Sequence, residues 1–334
     1  MYIHHQKKIN AILQSLRNEI KPLGGTRLSQ LIQRYGLFLS QRTIRNYLAL
    51  TDKNGLTKKC GNNGRIITQA GIDELEKSFV FEKIGLIASK IDELSYSMTY
   101  DYKNKKGNII LNVSLFHKKD FKKNISCLTK TFQNGYSMGQ FIVFEKNPLA
   151  LGSTHVQDET IAFGTICSVT INGVFLRAGI PVTSRFGGLL EIKERKPFRF
   201  TEIINYNGST LDPLEIFIKG GMTRVNQAVN TGNGIIGASF REIPSIAIGE
   251  AYKLKRKLDK IGLNGILLLG APSQPLLDIP VSEGKAGIIV VGGLNPVAAL
   301  EENGIQSHNK AMGTLFEFNQ MSHFSHLANL IAAQ

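Results

Sequence analysis

Four side chains able to read base edges fall within one short stretch of this sequence. Gln41, Arg42, Arg45 and Asn46 share one face of a helix predicted over 41–49, and Ile44, Tyr47 and Leu48 share the other. An arginine fork matches the O6 and N7 acceptors of guanine, and a Gln or Asn amide matches the N6 and N7 edge of adenine. Lys58, Lys59 and Arg65 follow on a predicted ribbon, where they can neutralise phosphates. Elsewhere the reactive residue types are scattered. Cys167 lies between Ile166 and Ser168 in an apolar run and reads first as a small buried hydrophobe. The histidines show no HExxH or metal-ligand spacing, and neither a GxGxxG fingerprint nor a P-loop occurs. These patterns predict no catalytic constellation and no metal site.

The base-reading face needs a scaffold, and residues 1–78 supply its order. Ile9, Ile12, Leu13 and Leu16 predict a helix over 3–19, which Pro22 and Gly24-Gly25 break. Thr26 is the expected N-cap of a short helix carrying Leu28, Leu31 and Ile32, ended by Gly36. Ser40 is the expected N-cap of the third helix. A ribbon follows, Leu56–Cys60 and Arg65–Thr68 about the turn 61–64, and a helix resumes over Gly71–Lys77. Helix, helix, helix and basic wing is the order of a winged helix-turn-helix that places its third helix in the major groove. The charge agrees: residues 1–78 carry 13 Lys/Arg and 5 Asp/Glu, more than half of the excess behind the net +14. Such a balance favours a polyanionic partner.

Residues 79–106 read as a linker. A helix with apolar positions Phe79, Val80, Ile84, Ile87, Ile91 and Leu94 either docks on the C-terminal domain or pairs with its mate in a dimer. The polar stretch 100–106 reads as a hinge.

From 107 to 330 the sequence repeats itself. Gly179-Ile180 recurs as Gly304-Ile305 and Gly188 as Gly313, both 125 positions on; Val169, Asn172 and Val174 match Gly292, Asn295 and Val297 at 123. Two copies of one α/β unit, about 107–198 and 232–324, are expected to form a pseudo-two-fold domain with a cleft between halves. In the first copy we expect a strand over 108–115, a helix over 120–133, a strand over 140–144 and a loop over 146–159 covering the cleft. A hairpin across Asn172-Gly173 follows, then a short strand, 189–192, after Gly187-Gly188. In the second copy we expect a strand over 234–240, a helix over 245–261, and strands over 265–269 and 286–291 that exit through Gly292-Gly293. The fold class is α+β or α/β: a winged helix-turn-helix joined to an internally duplicated α/β regulatory domain.

Three cysteines without paired spacing argue against a disulfide framework. No apolar run reaches the roughly 18–20 residues that cross a bilayer, and the N-terminal residues MYIHHQKK lack a signal-peptide core. We expect a cytoplasmic protein with no membrane partner.

The run FGTICSVTINGVFLRAGIPV, followed by FGGLLEI, resembles the regulatory domain of the NrpR family, repressors of nitrogen assimilation in methanogenic archaea and some bacteria. The first 78 residues are similar to that family's winged helix, which also resembles one that accompanies ribonuclease R. The resemblance implies a homodimeric, non-enzymatic repressor that binds a double-stranded inverted-repeat operator and is released by 2-oxoglutarate, without a cofactor. It leaves room for a companion NrpR subunit. It also associates Cys167 with the effector response. Two carboxylates and a keto oxygen need cationic forks, hydroxyls and free backbone N–H groups. Arg177, Arg185, Ser168, Thr170, Thr183, Ser184 and the pairs Gly187-Gly188 and Gly292-Gly293 are the expected suppliers. Two alternatives stay open: a sensor of another metabolite or of redox state through Cys167, and an enzyme using Cys167 as nucleophile.

Overall fold

The computed structural model describes residues 2–17, 19, 21–35, 37–61, 63–75, 87–151 and 159–332. The chain divides into two compact units, Met1–Gly85 and Leu86–Gln334.

In the first unit α1 (Tyr2–Arg17), α2 (Gly25–Leu31) and α3 (Gln41–Lys53) close over a core that includes Ile12, Leu13, Leu28, Ile32 and Ile44. The N-cap of α2 is Gly24, not Thr26, which lies within the first turn because the chain is already helical at Gly25. Ser40 does cap α3: its Oγ accepts the Thr43 N–H at 3.2 Å. The helix continues past the expected 49, since no breaker arrives before Asn54 and Gly55, the latter at φ 70°. β1 (Thr57–Lys59) and β2 (Arg65–Ile67) form the antiparallel wing, and Leu23 bridges to Arg65 on its far edge. Gly64 makes this wing possible. It sits at φ 116°, and a Cβ there would stand 2.3 Å from the Leu23 carbonyl. A helix, α4, resumes over 69–75. The expected terminator Gly36, the turn residue Asn62, the continuation to Lys77 and the linker residues 79–86 lie outside the described residues.

The second unit begins with α5 (Ile87–Ser97). The stretch expected to be a hinge, 100–106, is a closed turn. Asp101 and Lys106 pair, the Asp101 carboxylate accepts the Lys103 N–H at 2.9 Å and the Asn104 amide at 2.7 Å, and buried Tyr100 packs 4.6 Å from Phe318. The turn residues are polar because they satisfy one another, not because the backbone is free.

The first copy then supplies β3 (Asn108–His117), α6 (Lys118–Lys123), α7 (Ile125–Gln133), β4 (Phe141–Glu145), β5 (Thr160–Ile166), α8 (Thr170–Arg177), β6 (Thr183–Lys193) and β7 (Lys196–Asn205). Asn124 splits the expected 120–133 helix into α6 and α7. Most of the expected cleft-covering loop, 152–158, lies outside the described residues. After α9 (Pro213–Lys219) and α10 (Val225–Thr231), the second copy supplies β8 (Gly234–Pro244), α11 (Ile248–Lys260), β9 (Ile266–Leu269), β10 (Lys285–Val291), α12 (Asn295–Glu301) and β11 (Ser307–Glu317). β12 (Ser322–His323) and α13 (Leu327–Ala332) end the chain's described part.

Two five-stranded antiparallel sheets result, ordered β11-β3-β5-β4-β12 and β7-β6-β8-β10-β9. The shared core order shows the duplication, and each copy sends its last long strand into the other sheet. β6 leaves β5 to pair with β8, and β11 leaves β10 to pair with β3. The exchange laces the halves together. β5 and β10 start at Thr160 and Lys285, and α8 and α12 at Thr170 and Asn295, so the structural offset is 125 from β5 into α8, while the pairing register sets β3 and β8 127 apart. The match of Asn172 to Asn295 at 123 is therefore corrected: Thr170 corresponds to Asn295 and Asn172 to Val297.

Two turn expectations fail in this region. Asn172-Gly173 is no hairpin but the middle of α8. Gly173 is small because α5 crosses there; a Cβ would approach Met98 Cε to 2.5 Å. Gly187-Gly188 does not precede a strand but lies inside β6, pressed by Pro213 on one residue and by the Glu202 carbonyl on the other. Among the described residues no helix is long and apolar enough to cross a membrane.

Candidate functional sites

In α3, Ile44, Tyr47, Leu48 and Thr51 point into the core, which leaves Gln41, Arg42, Arg45 and Asn46 exposed together on the opposite face. Lys58 and Lys59 are exposed on β1. Arg65 is partly committed within its own domain. Its Nε donates to Asp52 Oδ2 at 2.7 Å, with both side chains partly buried, and Asp52 also accepts the Thr57 hydroxyl. Arg65 therefore braces the wing on the end of α3. An apolar residue that sequence patterning passed over, Phe38, stands 81% exposed just ahead of α3.

The second site lies where the loop after β5 meets β8. β8 was expected to end at Phe240, but it runs to Pro244, and this brings Arg241 inside. Arg241 is completely buried. Its Nε donates to Asn172 Oδ1 at 2.6 Å, its Nη2 to Ser168 Oγ at 3.1 Å, and its Nη1 to Ser239 Oγ. These acceptors are all neutral, and among the described residues no carboxylate forms an ion pair with Arg241. The acids that surround it are held toward their neutral forms. Burial pushes the Cys167 thiol up to about 11, although Arg241 pulls the other way. Burial, helped by Asp212, raises Tyr206 as well. Burial and neighbouring Glu215 push the Asp212 carboxyl up to about 6, against the N–H groups of Leu214 and Glu215. A protonated, enclosed thiol is the reverse of an activated nucleophile or an accessible redox sensor, so the two alternative readings of Cys167 lose support.

Asn172 also donates from Nδ2 to Ser184 Oγ at 2.9 Å. Ser184 in turn lines a cavity of about 540 Å³ with Ile91, Asp92, Thr183, Arg185 and Asn205. Arg185 is tied to buried Glu242, which also accepts the Ser282 N–H at 3.2 Å and its hydroxyl at 3.1 Å. The structure thus gathers Cys167, Ser168, Thr183, Ser184 and Arg185 of the expected set around one seam. The other members serve elsewhere. Arg177 is exposed and donates to the Met98 carbonyl at 2.9 Å, just past the end of α5. Thr170 is buried with its hydroxyl aimed at the Ile110 carbonyl, at 3.4 Å. Gly187 and Gly188 are strand packing positions, although Gly187 lies beside the Tyr206 hydroxyl. Gly292 and Gly293 belong to the other copy's loop, against Gly237 and Ile166. Sequence reasoning missed Arg241, Asn172, Ser239, Tyr206 and Asp212. The available signal was the charged pair Arg241-Glu242 following an apolar strand with no turn residue before Pro244.

The Asp212 carboxyl makes a prediction. Its folded value lies above the unfolded value of about 3.9, so the folded state holds the proton more tightly. Its contribution to stability is therefore greatest below about pH 4 and is lost as the pH rises through about 6. Asp212→Asn keeps an N-cap for α9 and should flatten that component. Urea midpoints measured from pH 4 to pH 7 should fall less for the variant than for the wild type. Superimposable profiles would refute the burial of this carboxyl.

Residues 84–323 match the family described as NrpR regulatory domains NRD1 and 2, and residues 10–75 match the ribonuclease R winged-helix domain. A global nitrogen regulator NrpRI of Methanosarcina mazei is 33% identical over 317 residues, covering 95% of this chain and 97% of that one. A global nitrogen regulator NrpR of Methanococcus maripaludis is 29% identical over 93% of this chain, which spans 54% of that relative's length. A crystal structure of a nitrogen repressor-like protein from Methanococcus jannaschii aligns with a TM-score of 0.59 at 30% identity, covering 72% of this chain and 99% of its own.

Proposed function

The chain belongs to the NrpR family, and from that premise we propose that it is a nitrogen-responsive transcription regulator. It binds an inverted-repeat operator as a homodimer through α3 and the wing, and 2-oxoglutarate releases it. The observation that carries the effector half of this reading is Arg241. Among the described residues, a buried guanidinium from the second copy donates to three neutral side chains, two of which, Ser168 and Asn172, come from the first copy. A dicarboxylate that competes for those N–H donors changes the bonds that hold the copies together. Linkage then requires that the effector bind the operator-free state more tightly than the operator-bound one.

The test is operator affinity with and without saturating 2-oxoglutarate, with glutamate and succinate as controls. Coupling energies of this kind are typically 1–3 kcal/mol, so a weakening of about 5- to 150-fold is expected, specific to 2-oxoglutarate. An unchanged affinity would sink the effector reading and leave the DNA-binding reading intact.

A further inference from the structure

The duplication gives Arg241 an internal comparison. Arg241 lies opposite Ile288 in β10 and Ser184 in β6; Ser114 lies opposite Phe163 in β5 and Asn309 in β11. The partners correspond at the same offset, so Ser114 occupies the Arg241 position of the other copy. Two of the three groups that hold the guanidinium are absent there, because Ser168 corresponds to Gly293 and Asn172 to Val297, while the third, Ser239, corresponds to Asn112, which bonds instead to Thr165 and the Met312 N–H. Backbone fills that second seam. A Cβ on Gly293 would stand 2.2 Å from the Ile166 carbonyl oxygen. Asn295 clamps Gly237, accepting its N–H at 2.7 Å and donating to its carbonyl at 2.9 Å. The Ser114 hydroxyl is buried with no partner. The same strands, exchange and loops are therefore built once with an ionic centre and once without.

Asp212, whose carboxyl is pushed up to about 6, supplies negative charge in the field of Arg241 near neutral pH without pairing to it, and a buried guanidinium with no carboxylate bonded to it remains unfavourable. Its retention in one copy points to an anion that binds there. We propose that Arg241 anchors one carboxylate of the acidic effector, so that each chain holds one effector site and the Ser114 seam is its emptied twin. This rests on the reading that the domain senses a dicarboxylate. Ser184 lines the adjoining cavity and holds Asn172, which in turn holds Nε of Arg241. A carboxylate entering from the cavity takes over the Nε–H that Asn172 now accepts. Arg241 also has N–H groups beyond the three in use, since a guanidinium carries five.

The experiment compares the full chain with its Arg241→Met and Ser114→Ala variants, by calorimetric titration with 2-oxoglutarate and by thermal melting with and without it. The wild type should bind one molecule per chain and melt higher with ligand. Arg241→Met should lose about 100-fold or more in affinity, as expected when one member of a buried charge pair is removed. Without ligand it should melt within a few degrees of the wild type, because relief of the buried charge offsets the loss of the donors to Asn172, Ser168 and Ser239. Ser114→Ala should bind as the wild type does. Two molecules per chain, undiminished binding by Arg241→Met, or an unliganded melt well below the wild type would overturn the proposal, the last by making Arg241 structural. If 2-oxoglutarate fails but citrate or succinate raises the wild-type melt and not that of Arg241→Met, the anchor stands and the identity of the effector falls. If none of these acids acts on the wild type, both fall.

Discussion

Gly293→Ala should destabilise the regulatory domain by about 3 kcal/mol or more, the upper end of what inserted methyl groups cost in packed interiors. The added Cβ would meet the Ile166 carbonyl oxygen at 2.2 Å and Asn112 Nδ2 at 2.6 Å. Neither neighbour can yield cheaply. Ile166 ends β5, and Asn112 bonds to Thr165 at 3.4 Å and accepts the Met312 N–H at 3.2 Å, across three strands of one sheet. A clash with an exposed side chain would relax; this one displaces backbone from both copies at once. For a domain of this size the melting temperature should fall by roughly 6–12 °C. Gly249→Ala is the matched control. Gly249 is exposed in the first turn of α11 with nothing within 4 Å of its Cβ position, so the added methyl should be neutral or slightly stabilising. Equal melting of the two variants would mean that the loops of the two copies do not cross where the structure places them.

What was legible in the sequence was whatever local pattern and local chemistry decide. Ser40 and the alternation of Ile44, Tyr47 and Leu48 against Gln41, Arg42, Arg45 and Asn46 were readable because one face of α3 meets the core and the other meets solvent. The 125-residue offset was readable because glycines at positive φ, such as Gly179 and Gly304, recur at equivalent bends. Helix α8 was not readable. Residues Thr170–Phe175 are all buried, so the helix shows no polar face, and Asn172-Gly173 imitates a turn. The glycine there answers to α5, a neighbour distant in sequence. The exchange of β6 and β11 left no mark either, because each strand needs only the same alternation whichever sheet it joins. Arg241 was hidden by a base rate, since a charged residue at an apparent strand end is normally solvated. Only the tertiary arrangement shows that β8 carries it into the seam.

The winged helix makes the last and sharpest separation of roles. Arg45 presents its fork on the exposed face of α3, so Arg45→Ala should cost roughly 1–3 kcal/mol on the sequence the wild type selects, and should relax the preference at one base pair. Lys59 stands exposed on the wing, so Lys59→Ala should weaken binding to every duplex alike and reduce the slope of log affinity against log salt by about one. Arg65 differs from both, despite equal charge and a place on the same ribbon. Asp52 already neutralises it at 2.7 Å. Arg65→Ala should therefore leave the salt slope nearly unchanged while loosening the wing, which would appear as a lower melting temperature for the first unit. Salt titrations of all three variants, on the selected site and on an unrelated duplex, distinguish base reading, phosphate neutralisation and scaffold. If Arg65→Ala reproduced the behaviour of Lys59→Ala, the Asp52 pair would have to open on the DNA, and the arginine would return to the phosphate contact its position in the sequence suggests. If Arg45→Ala lost affinity evenly across sequences, the face that carries base readout would not be the exposed face of α3.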